Sequence, residues 1–377
     1  MPLTRHLPGD STDQLPILDH HLEIENKSPK PIPNGGLTAW LQVAVSFCLT
    51  FCTWGLITTF GTFQTIYERD RLKHSSPFQI SLIGSLQTFC MIFSGFPVGP
   101  IYDSGYVRQL LGVGSGLIVV GTTLQSFCTQ YWHFVLAQGL MVGIGAVCLS
   151  ILSVAITSSW FTTKLPLVNG LALSGSGLGG VVLPIMIQKL TNQVGLPWAV
   201  RGIALLMFVL LAFSNLVYRP GLNVGGATRR PLVDRTAFKD KPYLLFVGGS
   251  FCVFLGMYTP FVYVQSYALD DKIVPTDLAL SLLAIINCSA IFGRIILSLL
   301  AQMVGPMNTI IGSTTLLGVT TFCLIATFTS PRLLATIIFL GFFSGAYFAL
   351  QPTIFVKLTS DPRVIGTRNT SQWCFGE

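Results

Sequence analysis

The sequence predicts an all-α, polytopic membrane protein. Of its 377 residues only 10% are charged while 51% are apolar, and the charges gather in two tails and a few short loops. A soluble domain carries about 25% charged residues. The mean hydropathy of +0.66 leaves no material for a charged shell, so a soluble enzyme is excluded. The net charge of +7 bears on orientation in a bilayer rather than on nucleic acid. Of nine cysteines, eight lie inside apolar segments and only Cys374 does not, so they read as small core residues and not as a disulfide framework.

Ten apolar stretches of spanning length succeed one another, each of about 20 residues or more and able as helix to cross about 30 Å of hydrocarbon. Their limits are residues 39–67, 79–101, 109–129, 133–158, 167–189 and 198–218, then 242–267, 278–300, 307–328 and 332–356. Residues 1–38 hold six prolines and eight charges with no apolar period, the composition of a disordered tail. They carry no signal-peptide pattern. Only one connection is long, residues 219–241, and it divides the protein into a six-helix N-terminal bundle (39–218) and a four-helix C-terminal bundle (242–356), followed by a short end, 357–377.

Basic residues orient this arrangement. With the N-terminus in the cytoplasm, inside segments collect fourteen: three in the tail, Arg108, Lys164, six in the central loop, and Lys357, Arg363 and Arg368. Outside segments hold seven: Arg69, Arg71, Lys73, Lys189, Arg201, Lys272 and Arg332. The excess places both termini inside.

Glycines recur within the spans, at 112, 114 and 116, at 139 and 143, and at 175, 177, 179 and 180. Small residues let helix backbones approach closely; static packing and the sliding surfaces of a moving transporter both use them. At the end of helix 2, Gly99-Pro-Ile-Tyr-Asp103-Ser-Gly105-Tyr-Val-Arg108 sets an acid, a glycine turn and a basic residue in one short cytoplasmic loop. There Asp103 can cap or pair with a neighbouring helix end, or merely be solvated.

This loop resembles the one between helices 2 and 3 of the major facilitator superfamily, whose acid and basic residues latch one conformation of an alternating-access cycle. The resemblance assigns the latch to Asp103, Gly105 and Arg108. Further stretches are similar to the monocarboxylate transporter family, particularly its fungal branch. They are Pro33-Asn34-Gly35-Gly36-Leu-Thr-Ala39-Trp40, with Asn34 in place of the usual acid, and Trp54-Gly55-Leu-Ile-Thr58-Thr59-Phe60-Gly61. Trp160-Phe161, Asn169-Gly170, Ser174-Gly175-Ser176-Gly177-Leu-Gly179-Gly180, Gly293-Arg294 and Ile365-Gly366-Thr367-Arg368-Asn369 complete the set. The resemblance covers residues 33–369 and implies the major facilitator fold. Family members have twelve helices, whereas Thr370–Glu377 is not an apolar run. The C-terminal bundle is therefore expected to be incomplete and the protein truncated at its C-terminal end.

Arg294 is the only charge well inside a span, at a cost of about 2.5 to 3.5 kcal/mol on insertion scales. Asn287, seven residues earlier, shares its helix face. Together they present an amide and a planar fork of donors suited to a carboxylate. In the animal monocarboxylate transporters the arginine at this place contacts the substrate carboxylate; a structural role, with Arg294 reaching toward the cytoplasmic surface, is the competing reading. Those carriers also use a lysine in helix 1 and an aspartate one turn before the arginine, where this protein has Thr58 and Ala290. Their proton and lactate mechanism therefore does not carry over directly. An acid expected after helix 8 is replaced by Gln302, and Lys164 stands alone where the family carries a basic cluster.

Further candidates for the cavity are Trp54, Thr58 and Gln64 in helix 1, Tyr258 and Tyr263 in helix 7, and Gln351 in helix 10. Pro260 and Pro352 are expected to interrupt helices 7 and 10 beside it. No constellation of catalytic or metal-ligating side chains is assembled within the spans, and neither a cofactor nor nucleic acid is expected. The expected function is secondary transport of a small organic solute, a carboxylate or other acidic metabolite, with a proton as the co-substrate the family implies. Uptake and secondary-metabolite efflux stay open. The expected location is the plasma membrane, with the vacuolar membrane as the second choice. The alternative is a truncated, non-transporting membrane protein, a remnant, sensor or partner-binding protein.

Overall fold

The computed structural model describes residues 34–73, 75–221, 241–270, 274–327 and 329–358. Most of the expected tail, central loop and C-terminal end lies outside the described residues. Among the described residues, ten helices are long and apolar enough to cross a membrane. In order they are α1 (Leu37–Thr58), α2 (Pro77–Tyr102), α3 (Val107–Gln125), α4 (Tyr131–Trp160) and α5 (Leu165–Val194). There follow α6 (Leu196–Val217), α7 (Lys241–Asp270), α8 (Thr276–Val304), α9 (Pro306–Cys323) and α10 (Ser330–Leu358).

Local chemistry sets the ends. Ser76 caps α2 in a reciprocal box, its Oγ accepting from the Gln79 amide at 3.2 Å while Gln79 Oε1 accepts from the Ser76 amide at 3.0 Å. Gly195 (φ 81°) and Gly305 (φ 98°) each end one helix and begin the next, a left-handed conformation that glycine alone adopts without strain. A proline follows within two residues in both cases, so α5–α6 and α8–α9 are joined by single-residue hinges.

The expected interruptions at Pro260 and Pro352 are corrected: both prolines lie inside continuous helices. One proline removes one backbone hydrogen bond, which a helix packed among others tolerates. The breaks fall elsewhere. α1 pauses at Thr59 and resumes over Phe60–Ile66 and a π-helical turn, Tyr67–Arg71. The Thr58 and Thr59 hydroxyls both donate to the Gly55 carbonyl, at 2.9 and 2.8 Å, a back-bonding that bends helices. α2 pauses at Ser94 before Gly95–Asp103.

The buried apolar side chains form two main cores. One runs from Val45 to Tyr218 through α1–α6, the other from Phe254 to Ile354 through α7–α10. α6 packs on α1, α3 and α5. The two cores meet chiefly where α5 packs against α8 and α10. Glycine permits this closeness: a Cβ built on Gly55 would stand 2.7 Å from Gly179 Cα between α1 and α5. On the opposite side of α5, one built on Gly170 would collide with the Arg294 carbonyl of α8. α8 and α10 are drawn together likewise, Gly293 on Phe342 and Gly341 on Ile286. Arg108, Lys164 and Arg219 lie at one end of the bundle, the one to which the sequence count assigns the excess of basic residues and here termed the basic end.

Candidate functional site

A cavity of about 90 Å³ lies where the halves meet, lined from α1, α5, α7, α8 and α10. α1 supplies Trp54 and Thr58, just before its break, and α7 supplies Met257, Tyr258 and Phe261 around Pro260. Asn287, Ala290 and Arg294 come from α8, at spacings of three and four that share one helix face. Ser344, Phe348 and Pro352 line it from α10, and Leu173 and Ser176 from α5.

Arg294 is the charged group of this cavity and is 6% exposed. Its Nη1 donates to the Leu173 carbonyl across the seam at 3.1 Å, while its buried Nε has no hydrogen-bond partner. The guanidinium carbon lies 5.8 Å from the Phe348 ring centroid, within cation–π reach. Ala290, one turn before, offers it only a methyl group. Among the described residues, the one ion pair within 4 Å is Arg71 with Asp70, outside the cavity, at 3.9 Å. Asn287 is buried beside Arg294, its Nδ2 donating to the Leu283 carbonyl at 3.0 Å. The α5 glycines shape the wall: Cβ atoms at Gly177 and Gly180 would stand 2.6 Å from Arg294 Nη1 and 2.9 Å from Thr58 Oγ1. The site is thus a small, mainly apolar and aromatic chamber whose polar groups are one cation (Arg294), one amide (Asn287), the hydroxyls of Thr58, Ser176, Tyr258 and Ser344, and the Trp54 indole.

Five sequence candidates, Trp54, Thr58, Tyr258, Asn287 and Arg294, are brought together here. Gln351 is corrected: it is buried but does not line the cavity, because one residue turns the helix by about 100° and Pro352 takes the facing position. Gln64 is also elsewhere, its Nε2 donating to Glu68 Oε1 at 3.1 Å. The Tyr263 side chain lies outside the described residues. Leu173, Met257, Phe261, Ser344 and Phe348 are not among the sequence candidates; a spacing of three from Tyr258 finds Phe261, and spacings of four and eight from Pro352 find Phe348 and Ser344.

Residues 38–376 match the family profile described as Major Facilitator Superfamily. The protein belongs to the major facilitator superfamily. The MFS-type transporter dbaD of Emericella nidulans is 40% identical over 355 residues, which are 92% of this protein and 80% of that one. The aspyridones efflux protein apdF of the same fungus is 31% identical over 344 residues, 90% of this protein and 70% of that one. In fold the protein is similar to a variant of the E. coli fucose:proton symporter FucP, with a TM-score of 0.70 at 14% identity over 90% of each. It is a multi-pass integral membrane protein of a superfamily of small-molecule transporters.

At the superfamily loop between α2 and α3, Gly105 takes φ 89°, the turn its sequence position anticipates. Arg108 is exposed at the start of α3. The Asp103 side chain lies outside the described residues, so the pairing expected of it does as well. At the same end the Asn34 carboxamide oxygen accepts from the backbone amides of Thr162 and Thr163 at 2.7 and 3.1 Å, tying the entry to α1 to the α4–α5 loop.

Proposed function

We propose that this protein is a secondary transporter, of the monocarboxylate-transporter type in its fungal branch, that exports a small acidic organic metabolite by alternating access. The observation that carries the reading is Arg294: a buried cation on the cavity wall, bonded to one backbone carbonyl, with an unpartnered Nε and Ala290 where a counter-charge would stand. A buried charge is costly, and one left with a free donor and no counter-charge favours a solute that brings an anionic group. Trp54, Met257, Phe261 and Phe348 would hold the apolar body, Asn287 and Thr58 its other polar groups, and Asp103, Gly105 and Arg108 would latch the cycle. Efflux is favoured by the relative named as an efflux protein. The excess of basic residues at one end supports a cytoplasmic N-terminus, and export supports the plasma membrane.

Proton coupling rests on the family resemblance. No carboxylate is among the described lining residues, so a coupled proton would ride on the acidic solute itself. The test is flux in proteoliposomes holding the purified protein, over a panel of aliphatic and aromatic carboxylic acids, with and without a pH gradient. Saturable flux of at least one acid above protein-free vesicles is expected. Absence of saturable flux over the whole panel overturns the reading.

A further inference from the structure

The seam between the halves at the basic end is closed by a short run of polar contacts distinct from the cavity. Asn169, on the second turn of α5, is 1% exposed. Its Nδ2 donates across the seam to Thr353 Oγ1 of α10 at 2.9 Å, and its Oδ1 accepts at 2.6 Å from the Thr157 hydroxyl of α4, which shares its proton with the Val154 carbonyl at 2.7 Å. Thr353 is fully buried. The carboxamide is therefore oriented from within the N-terminal half and spends its donor on the other half. Thr353 follows Pro352, which withholds a backbone donor from the Phe348 carbonyl and leaves the last turns of α10 easier to bend.

Beside these contacts the closed seam holds a polar atom that gains nothing from closure. Ser298 Oγ on α8, packed against Gly170 of α5, is buried without a hydrogen-bond partner. It would be hydrated if the halves parted, so its desolvation opposes closure. A seam balanced in this way is switchable by a single cross-bond.

We propose that Asn169 and Thr353 form a second latch at the basic end, apart from the Asp103–Arg108 loop, and that the two halves part along this seam only when this hydrogen bond breaks. Thr157 is the positioning residue that keeps the carboxamide donor aimed at α10. Such a latch acts on conformation alone, whatever solute the cavity takes.

The test reads seam opening without transport. Ser298→Cys places a thiol in the seam, at a position 0% exposed, and its reaction with a water-soluble maleimide is followed by peptide mass spectrometry on the full protein in nanodiscs. Cys52, 0% exposed in the N-terminal core, is the internal reference for general unfolding. Against this background Thr353→Val, which keeps shape and removes the acceptor, is expected to speed labelling of the introduced thiol about three- to tenfold, the range of one net hydrogen bond. Thr353→Ser restores the original rate, and Cys52 stays unreactive. Thr353→Ala serves the same comparison if the valine variant does not fold. Labelling unchanged in the variant that lacks the hydroxyl overturns the latch, and so does a rise that Cys52 shares.

Discussion

Gly177 lies under the guanidinium of Arg294, so close that a Cβ built on it would stand 2.6 Å from Nη1. The α5 backbone is thus part of the cavity wall around Arg294, and the glycine is the room the arginine occupies. Gly177→Ala is expected to displace Arg294 or open the α5–α8 contact, at about 1 to 3 kcal/mol, as overpacking costs elsewhere. Gly112→Ala on α3, where nothing lies within 4 Å of the added carbon, is the control. Thermal melts of the purified variants decide this: equal melting temperatures for the two would contradict the packing described.

Tyr67 is fully buried, and its hydroxyl donates to Gln138 Oε1 at 2.8 Å and accepts from Gln125 Nε2. This joins the extension of α1 to α3 and to the π-helical part of α4, Val135–Val142. Tyr67→Phe keeps the ring and removes the shared hydroxyl. A loss of about 1 kcal/mol is expected, between the small average for hydrogen bonds between membrane helices and the cost of an unpaired buried amide. A chemical denaturation series in detergent would show it, and an unchanged midpoint would mean the amides re-pair without the hydroxyl.

Asn34 Oδ1 collects the Thr162 and Thr163 amides while the Asn34 backbone sits at φ 51°. An acceptor is what the position needs. Asn34→Asp should hold the α4–α5 loop at least as firmly, since an ionised acceptor makes the stronger bond. Asn34→Ala should free the loop, seen as faster limited proteolysis after Lys164. Proteolysis at the same rate in both variants would remove the tie from the account.

Ten spans and the Asn287–Arg294 face were legible in the sequence because both depend on local periods: apolar length, and seven residues as two helical turns. Gln351 was misplaced because its neighbour on the helix, not polarity, decided which side chain reaches the cavity. The contact of Asn169 with Thr353, 184 positions apart, depends on how two helices from different bundles are set against each other, and no single-helix pattern encodes that. Likewise the glycines were visible as small residues, but which of them faces α1 and which faces α8 follows only from packing.

The most direct test of the central claim is flux of one transported acid and of its methyl ester through the wild-type protein and Arg294→Gln in proteoliposomes. Removing one partner of a buried charged pair typically costs 2 to 5 kcal/mol or more, so the acid's specificity constant should fall at least about thirtyfold, while the ester's changes little. An acid flux that survives Arg294→Gln, or an equal loss for acid and ester, would contradict the assignment of Arg294 as the group that holds the solute.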